Sequence, residues 1–379
     1  MKIVTIIGAR PQIIKGAAIS RAIKNHFSDQ LEEVIVHTGQ HYDENMSGVF
    51  FGELNIPKPD YQLAIGSAER DVQIEKMRMA IIEVLEKEQP NALVVYGDTN
   101  STAAGAYAAE QVGIPMAHIE AGLRSFNQSM PEELNRILCD DRSTLLFCPT
   151  KAAMKNLEDE GYAIQNEGPY TKENPRVYHC GDIMYDNSLH FASISDERST
   201  LLKDLEITED FILATVHRPA NTDSKERLTE ILETMMEISS FNDLQIILPL
   251  HPRTRKMIGQ LVAPDVQDRL KDSLVRLIDP VSFLDIIALE KNAVMVMTDS
   301  GGVQKESYYF KKPCLILRDE TEWVEIVDNG SAILCDASRD RMLQGFEKLY
   351  GAKDLTFPNF YGDGKAAEFI CHEILTQLQ

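Results

Sequence analysis

The chain has 379 residues, 44% of them hydrophobic, and a formal net charge of −21. This length exceeds one typical core, so we expect two domains of an ordinary globular protein. The acidic excess argues against a broad surface for nucleic acid or anionic membrane, which would need a basic field. It still allows a small anionic ligand in a locally positive pocket.

The cysteines and the N-terminal segment indicate a cytoplasmic location. The six cysteines are scattered, without CxxC and without metal-like pairing to histidine, and "MKIVTIIGARP" has too short an apolar run for a signal peptide. No segment approaches the roughly 18 apolar residues of a membrane span. We therefore expect no metal site, no nucleic-acid partner and no membrane partner.

Short apolar runs alternate with helical stretches along the chain. In the first half the predicted strands are "KIVTIIG", "EEVIVHTG", "ALVVYGD", "PMAHIEA" and "TLLFCPT", with "PQIIKGAAISRAIKN" and "STAAGAYAAEQVG" at helical spacing. The second half repeats the pattern with "FILATVH", "LQIILPLH", "LVRLIDP", "NAVMVMTDS" and "KPCLILRD". This alternation predicts the α/β class with two Rossmann-like domains, each built on a parallel sheet.

A polar stretch rich in proline and glycine, "NEGPYTKENPRVYHCGD", predicts the domain break. The expected boundaries are residues 1–172 for the N-terminal domain, 173–361 for the C-terminal domain and 362–379 for a final amphipathic helix in "GKAAEFICHEILTQLQ". Parallel sheets of this kind bind ligands outside the carboxyl ends of their strands. The residues that follow each strand are therefore the candidates for a site.

The first strand ends in "GARPQIIK". Gly8 permits a tight turn, Pro11 suits the first helical turn, and Arg10 and Lys15 add positive charge near a helix N-terminus, which is an anion-binding arrangement. An ordinary turn with two solvated cations is the alternative. The sequence has no GxGxxG and no GxxxxGK[ST], so we expect neither a dinucleotide cofactor nor a P-loop.

Three carboxylates of the first half follow or lie close to strand ends. Asp98 in "VVYGDTNS" could instead cap the next helix, and Glu132 in "SMPEELNR" has capping-box spacing to Ser129. Glu120 in "AHIEAGLRS" directly follows an apolar strand, where capping is a weaker explanation. If the three converge, they could act as acid and base with perturbed pKa values.

Basic strand ends in the second half face a glycine turn. "ATVHRPANTD" places His217 and Arg218 after one strand, and "LPLHPRT" places His251 after another. In "TDSGGVQKES" the two glycines allow close backbone approach, and the following helix N-terminus favours negative charge. Glu306, one turn further on, could accept hydrogen bonds from ribose. A glycine-rich turn with an exposed glutamate is the alternative to this nucleotide diphosphate site.

These residues, in this order, resemble the non-hydrolysing UDP-N-acetylglucosamine 2-epimerases. The resemblance covers nearly the whole chain and depends on nine motifs: "GARPQIIK", "TGQH", "GDTNST", "HIEAGLRS", "PEELNR", "VHRPAN", "HPRT", "TDSGGVQKE" and "RDETEWVE". It implies the B-type glycosyltransferase fold, an active site in the cleft between the domains, a C-terminal helix that crosses back to the first domain, and a homodimer.

The resemblance also implies roles for individual residues. The implied catalytic residues are Lys15, Asp98, Glu120, Glu132 and His217, with Arg10 beside them. The implied UDP-binding residues are Arg10, Arg218, His251, Ser300, Gly301, Gly302, Glu306 and Arg318. No cofactor is implied.

The sequence departs from the commonest family pattern in four motifs. "GARPQ" occurs where many members have GTRPE, and "TEWVE" occurs where TERPE is usual. "HRPAN" lacks the glutamate of HRxEN. "QHYDEN" replaces QHRxM, so Asp43 occupies a position that bacterial members link to an allosteric substrate site beside Gln40. "GARPQ" together with "TEWVE" looks more like the branch that acts on UDP-2,3-diacetamido-2,3-dideoxyglucuronate.

The reaction that the resemblance implies interconverts UDP-GlcNAc and UDP-ManNAc by elimination of UDP to 2-acetamidoglucal and re-addition. The individual roles of Asp98, Glu120 and Glu132 stay open. The alternatives are the same chemistry on the diacetamido uronate, a glycosyltransferase, a hydrolysing epimerase, or a UDP-sugar-binding module without turnover. We expect a function in cell-envelope polysaccharide synthesis.

Overall fold

The computed structural model describes residues 1–40 and 56–378. The chain divides into two units, one formed by Met1–Asn187 with Asn359–Gln379 and the other by Ser188–Pro358. Each unit contains one parallel sheet covered by helices, which is the arrangement that alternating strands and helices favour. The α/β prediction is therefore confirmed for both halves.

The first unit is built on a parallel sheet with the strand order β3-β2-β1-β4-β5-β6-β7 within the described residues. Its strands are β1 (Lys2–Ile7), β2 (Glu32–His37), β3 (Tyr61–Gln62), β4 (Ala92–Tyr96), β5 (Met116–Ile119), β6 (Leu145–Cys148) and β7 (Arg176–His179). Its helices are α1 (Arg10–Ala22), which continues as a π-helical turn (Ile23–Phe27), α2 (Arg70–Glu88), α3 (Asn100–Val112), α4 (Pro131–Asp140), α5 (Lys151–Asp159) and the beginning of α6 (Ile183–Arg198).

The second unit has a parallel sheet with the order β10-β9-β8-β11-β12-β13 over the described residues. Its strands are β8 (Phe211–Thr215), β9 (Gln245–Pro249), β10 (Val275–Ile278), β11 (Met295–Thr298), β12 (Cys314–Ile316) and β13 (Ala332–Leu334). Its helices are the rest of α6, α7 (Leu201–Asp204), α8 (Pro219–Thr222), α9 (Lys225–Asn242), α10 (Pro252–Leu261), α11 (Pro264–Lys271), α12 (Phe283–Asn292), α13 (Gly301–Tyr309), α14 (Val324–Asp328) and α15 (Arg339–Leu349).

The central strands are buried on both faces, which explains why their sequences are nearly continuous apolar runs. The side chains of Val4, Ile6, Leu93 and Val95 form one core with α2 and α3. A separate core in the second unit surrounds β8, β9 and β11 and includes Met297. Each sheet thus has its own hydrophobic core, as expected for a chain of this length.

The predicted domain boundary differs from the observed division. Strand β7 lies inside the stretch that was expected to be the break, and it pairs in parallel with β6 of the first sheet. The first unit therefore continues to Asn187 rather than ending at residue 172. The prolines and glycines before "RVYH" obscured this short strand in the sequence, and β3 and β13 were missed because they are even shorter.

The final helix, α16 (Ala366–Gln377), belongs to the first unit and packs against α1. Its N-terminus is held by Asp186, whose carboxylate accepts hydrogen bonds from the backbone N–H groups of Ala366 and Ala367 at 3.1 and 2.8 Å. Among the described residues, no helix is both long enough and apolar enough to cross a membrane.

Candidate active site

Polar residues of the first unit meet where the adjacent strands β1, β4 and β5 end. Lys15 on α1 forms an ion pair with Glu120, which directly follows β5. Asp98 follows β4 and forms an ion pair with Arg136 of α4, with 2.5 Å between Nη2 and Oδ2. Parallel strands bring these residues to one edge of the sheet, although up to 121 positions separate them in the chain, from Lys15 to Arg136.

The backbone around this cluster is unusual at two positions. Gly97 has a φ of +59°, and a Cβ at this position would lie 3.1 Å from Glu120 Oε2 and 3.3 Å from Lys15 Nζ. Glu120 itself has a φ of +72°, a conformation that residues with a side chain rarely adopt. Strained backbone of this kind clusters at functional sites, so Glu120 fits a functional position better than an incidental one.

The charges of the cluster change its protonation behaviour. Burial alone would lower the pKa of Lys15, but the charges of Glu120, Asp98 and Asp182 outweigh burial and raise it. Burial raises the pKa of Asp98, and Glu120 raises it further, while Arg136 opposes this shift. Asp98 is thus a carboxyl group whose pKa moves towards neutrality, as a proton-transfer group requires.

The capping alternatives for Asp98 and Glu132 do not hold. The helix after Asp98 is capped by Thr99, whose side chain accepts a hydrogen bond from the backbone N–H of Thr102. Helix α4 begins after Met130, without a side-chain cap, so Ser129 and Glu132 form no capping box. Glu132 is exposed, and its charge contributes to the raised pKa of Asp98.

Sequence reasoning missed two groups that support the carboxylates. Arg136 was read only as part of a motif, although its ion pair holds Asp98. His118 is buried inside β5, with Nδ1 2.7 Å from Asp140 Oδ1 and Nε2 2.8 Å from the carbonyl oxygen of Gly97. Both ring nitrogens thus face acceptors, so the ring anchors the Gly97 turn. A histidine inside an otherwise apolar strand was the available signal.

The turn after β1 is organised by Gln12, the last residue of "GARPQ". Its Oε1 accepts hydrogen bonds from the backbone N–H groups of Gly8 and Ala9, and its Nε2 donates to the carbonyl oxygen of Tyr96. Gly8 is required for space rather than for a turn, because a Cβ there would lie 2.0 Å from Ser101 Oγ. Pro11 lies in the first helical turn as predicted.

Three further residues of the first unit were predicted to belong to a binding or allosteric site, namely Arg10, Gln40 and Asp43. Arg10 begins α1. Gln40 is buried, and its Oε1 accepts hydrogen bonds from the backbone N–H and the Oγ of Ser101 at 3.0 and 2.7 Å. Gln40 therefore helps to anchor the start of α3. Asp43, its proposed allosteric companion, lies outside the described residues.

A second polar cluster occupies the carboxyl edge of the sheet in the second unit, where β8, β11 and β12 are neighbours. Asp299 is fully buried and accepts hydrogen bonds from the backbone N–H groups of His217 and Arg218. Its Oδ1 lies 3.2 Å from Nδ1 of His217, whose side chain is 45% exposed. Asp299 thereby fixes His217 and Arg218 beside the turn that opens α13.

The turn that opens α13 has the features of an anion site. Ser300 is the N-cap residue, and its Oγ accepts a hydrogen bond from the backbone N–H of Val303. A Cβ at Gly301 would lie 3.8 Å from each of Arg218 Nη2, Glu322 Oε2 and Trp323 Nε1. A cation, a glycine pair and a helix N-terminus thus meet at one point, which favours a phosphate group.

Arg318 and His251 are both tied into the second unit. Arg318 follows β12, is buried, and makes a bidentate ion pair with Glu322 at 2.9 and 3.1 Å. His251 follows β9 and caps α10, because its Nδ1 accepts a hydrogen bond from the backbone N–H of Arg253. His251 is exposed at the same sheet edge, but among the described residues no hydrogen bond links it to the α13 turn.

Comparison with known proteins matches this architecture to one enzyme class, the nucleotide-sugar epimerases. The family model described as UDP-N-acetylglucosamine 2-epimerase matches residues 22–375. The chain is 47% identical over 378 residues to the UDP-2,3-diacetamido-2,3-dideoxy-D-glucuronate 2-epimerase of Pseudomonas aeruginosa, with 100% of both chains covered. It is 40% identical to the UDP-N-acetylglucosamine 2-epimerase of Methanocaldococcus jannaschii, with 98% of both covered.

A crystal structure of the Methanocaldococcus jannaschii UDP-GlcNAc 2-epimerase in complex with UDP-GlcNAc and UDP is also similar. It has a TM-score of 0.80 and 40% sequence identity, and the match covers 99% of each chain. The chain belongs to the UDP-N-acetylglucosamine 2-epimerase family. The resemblance drawn from the nine motifs and the predicted fold class are confirmed. The roles of the individual site residues stay predictions.

Proposed function

We propose that this protein is a non-hydrolysing 2-epimerase that interconverts UDP-GlcNAc and UDP-ManNAc. The observation that carries the proposal is the cluster of the first unit, in which the ion pairs Lys15–Glu120 and Arg136–Asp98 lie at the ends of adjacent strands. The matched family and the solved relative that holds UDP-GlcNAc and UDP support the same reaction. No cofactor is part of the proposal.

The proton on carbon 2 of a 2-acetamido sugar is hardly acidic, because no ketone is adjacent to it. We propose that UDP leaves from carbon 1 while a carboxylate removes the carbon 2 proton, which gives 2-acetamidoglucal. A second carboxyl group then delivers a proton to the opposite face as UDP adds back. Asp98, Glu120 and Glu132 are the proposed acid–base residues, and the raised pKa of Asp98 suits proton transfer.

The second unit supplies the proposed binding groups for UDP. The backbone N–H groups at Ser300, Gly301 and Gly302 would hold the diphosphate, and Glu306 would accept hydrogen bonds from ribose. The further proposed contacts of the second unit are His217, Arg218, His251 and Arg318, and Arg10 and Lys15 of the first unit are proposed in addition. These groups would stabilise the negative charge that grows on the departing UDP, a usual source of rate enhancement.

A specific observation favours a second substrate. The chain is more similar to the diacetamido-glucuronate epimerase, at 47% identity, than to the UDP-N-acetylglucosamine epimerase, at 40%. The motifs "GARPQ" and "TEWVE" point to the same branch. UDP-2,3-diacetamido-2,3-dideoxyglucuronate is therefore the second candidate, and a comparison of kcat/KM for the two UDP-sugars decides between them.

The reaction is tested by incubating each UDP-sugar with the protein in D₂O, without any acceptor. We expect an epimer that carries deuterium at carbon 2, whereas a glycosyltransferase or a binding module would give no epimer and a hydrolysing enzyme would release free sugar. Asp98→Asn, Glu120→Gln and Glu132→Gln should each lower kcat by about 10²–10⁴. The control is Glu110→Gln, which alters a surface carboxylate paired with Arg142 and should retain activity.

Near-wild-type turnover by all three folded variants would contradict the proposal.

We also propose that the enzyme is a cytoplasmic homodimer that supplies cell-envelope polysaccharide synthesis. Its six cysteines are free thiols, which suits a reducing compartment. Light scattering of the purified protein tests the dimer, and deletion of the gene followed by analysis of envelope glycans tests the pathway.

A further inference from the structure

Glu290 is a buried carboxyl group that the proposed chemistry does not use. It lies near the C-terminal end of α12, and it is completely shielded from solvent. Among the described residues, no N–H or hydroxyl group donates a hydrogen bond to either of its oxygens. A carboxyl group in such a place strongly favours its neutral form, because an ionised one would lose its hydration without compensation.

Helix α12 packs against α13, and the carboxyl group of Glu306 on α13 makes a side-chain hydrogen bond with that of Glu290. Two carboxyl groups share a hydrogen bond only if one of them is protonated, and the fully buried one retains the proton. Burial raises the pKa of Glu290 well above its usual value, and the charge and the hydrogen bond of Glu306 raise it further. The acid O–H of Glu290 therefore donates to the carboxylate of Glu306.

Glu306 lies where this hydrogen bond affects the proposed ligand. A Cβ built on Gly302 would lie 3.8 Å from Ser300 Oγ and 3.9 Å from Glu306 Oε2. The carboxylate of Glu306 is thus beside the turn that begins α13. Its partly buried side chain connects that turn with the interior carboxyl group of Glu290.

We infer that Glu290 is a positioning residue, which as a carboxylic acid donates a hydrogen bond to Glu306 and fixes that carboxylate to accept the ribose hydroxyls of UDP. The inference rests on the proposed function, because it assumes that UDP binds at the α13 turn. It adds a residue of α12 that does not contact the ligand. Without the hydrogen bond from Glu290, the carboxylate of Glu306 would be held less firmly, and more of its ordering would have to accompany UDP binding.

Other charges close to α12 have other contacts. Strand β8 contributes no titratable residue, and Lys203 and Asp204 on α7 are exposed. Lys291 on α12 itself forms an ion pair with Asp196 of α6. On α13, Lys305 lies over the ring of Trp323, with 4.0 Å between Nζ and the ring centroid. Glu306 is therefore the charged group that acts on Glu290.

Two substitutions separate the hydrogen bond from the packing. Glu290→Gln keeps the shape and a donor N–H group, whereas Glu290→Met keeps the approximate volume and removes the donor. We expect Glu290→Met to weaken UDP binding, measured by calorimetry, by about tenfold, and Glu290→Gln to stay within about twofold of wild type. The loss should appear mainly in KM, because kcat depends on the carboxylates of the first unit.

A double-mutant cycle tests whether Glu290 acts through Glu306. In a Glu306→Ala background, Glu290→Met should cause no further loss of UDP affinity, because the group that it positions is gone. A full additional loss in that background would overturn the inference, and so would wild-type affinity in the single Glu290→Met variant. Absence of UDP binding by the wild-type protein would instead overturn the proposed function.

Stability as a function of pH tests the carboxyl pair independently of UDP. The folded protein retains the Glu290 proton at pH values where the unfolded chain has released it, so its stability falls as pH rises above the unfolded pKa of about 4.3. The melting temperature of Glu290→Gln relative to wild type should therefore be higher at pH 8 than at pH 5. An unchanged difference would overturn the inference, even if the methionine variant does not fold.

Discussion

Gly97 and Glu120 approach each other so closely that a Cβ on Gly97 would lie 3.1 Å from Glu120 Oε2. The same Cβ would lie 3.3 Å from Lys15 Nζ, so it would press on both members of the ion pair. The site therefore depends on a residue that carries no functional group. Nε2 of His118, which is buried within β5, lies 2.8 Å from the carbonyl oxygen of this glycine.

The substitution Gly97→Ala should damage activity more than it damages stability. It strains a φ of +59°, which should lower the free energy of unfolding by about 1 kcal/mol. It also displaces the Lys15–Glu120 pair, and we expect kcat/KM to fall about 100-fold, because small misplacements of catalytic groups are costly. Epimerisation kinetics and denaturant unfolding measure the two effects.

Gly113→Ala is the matched control for this substitution. Gly113 has a φ of +77° at the C-terminal end of α3, and a Cβ there would meet no atom within 4 Å. The control should show a similar loss of stability and normal kcat/KM. Equal activity in the two variants would contradict the importance of the Gly97 contact.

Arg136→Gln should shift the pH dependence of the reaction. Arg136 lowers the pKa of Asp98 against the effect of burial, so its removal raises this pKa. A base must be ionised to accept a proton, so the rate falls as pH drops through the pKa of the base. With Asp98 as base, the acid limb of the kcat profile should move to higher pH in the variant.

The control for this shift is Arg142→Gln. Arg142 forms an ion pair with Glu110 at the surface, and over the part of the chain that the structure describes it has no hydrogen bond or ion pair with Asp98. Its pH profile should overlay that of the wild type. If the acid limb of Arg136→Gln also coincides with the wild type, Asp98 is not the group that the limb reports.

Glu33 should make stability decrease between mildly acidic and neutral pH. Burial raises its pKa to about 7, while hydrogen bonds from Ser20 and Thr5 partly oppose this shift. The folded protein then holds a proton that the unfolded chain releases above about pH 4.3, so stability falls as pH rises through this window. The melting temperature of Glu33→Gln relative to that of the wild type should therefore be higher at pH 8 than at pH 5.

The neighbouring Glu32→Gln provides the comparison, because Glu32 is exposed on the same strand. Its melting temperature relative to wild type should stay constant over the same pH range. A constant difference for Glu33→Gln as well would show that Glu33 is ionised in the folded protein at both pH values.

UDP should change the fluorescence of Trp323, the only tryptophan of the chain. Trp323 Nε1 donates a hydrogen bond to the carbonyl oxygen of Gly301 at 3.0 Å, so a ligand at the α13 turn alters its surroundings. We expect a saturable change in emission with the same Kd as calorimetry gives. Uridine, which lacks the diphosphate, should cause no change at equal concentration. An unaltered spectrum at saturating UDP would place the ligand elsewhere.

The sequence predicted which residues of the candidate site come together because they follow strand ends. The apolar runs located β1, β4 and β5, and the rule for parallel sheets then brought Lys15, Asp98 and Glu120 together. It could not predict the pairing of Arg136 with Asp98, because that contact depends on how α4 returns to the sheet. For the same reason it did not connect Glu290 with Glu306, which lie on different helices.

The remaining differences between prediction and structure arise where tertiary packing outweighs a local sequence signal. Ser129 and Glu132 have capping-box spacing, but the helix begins one residue later, after Met130. Strand β7 follows a segment rich in proline and glycine, and its pairing with β6 outweighs that local signal. Gly8 was read as a turn residue, whereas its neighbours Ser101 and Thr38 show that close packing requires it.

The return of residues 359–379 to the first unit has a consequence for biosynthesis. The second unit is one continuous segment of chain, so all of its residues are synthesised before residues 359–379. The first unit lacks the helix that carries the buried residues Ile370 and Cys371 until that segment has left the ribosome, although its other elements emerged long before. A truncation before residue 359 would therefore leave the N-terminal half, which carries the carboxylates, as a substrate for chaperones and proteases.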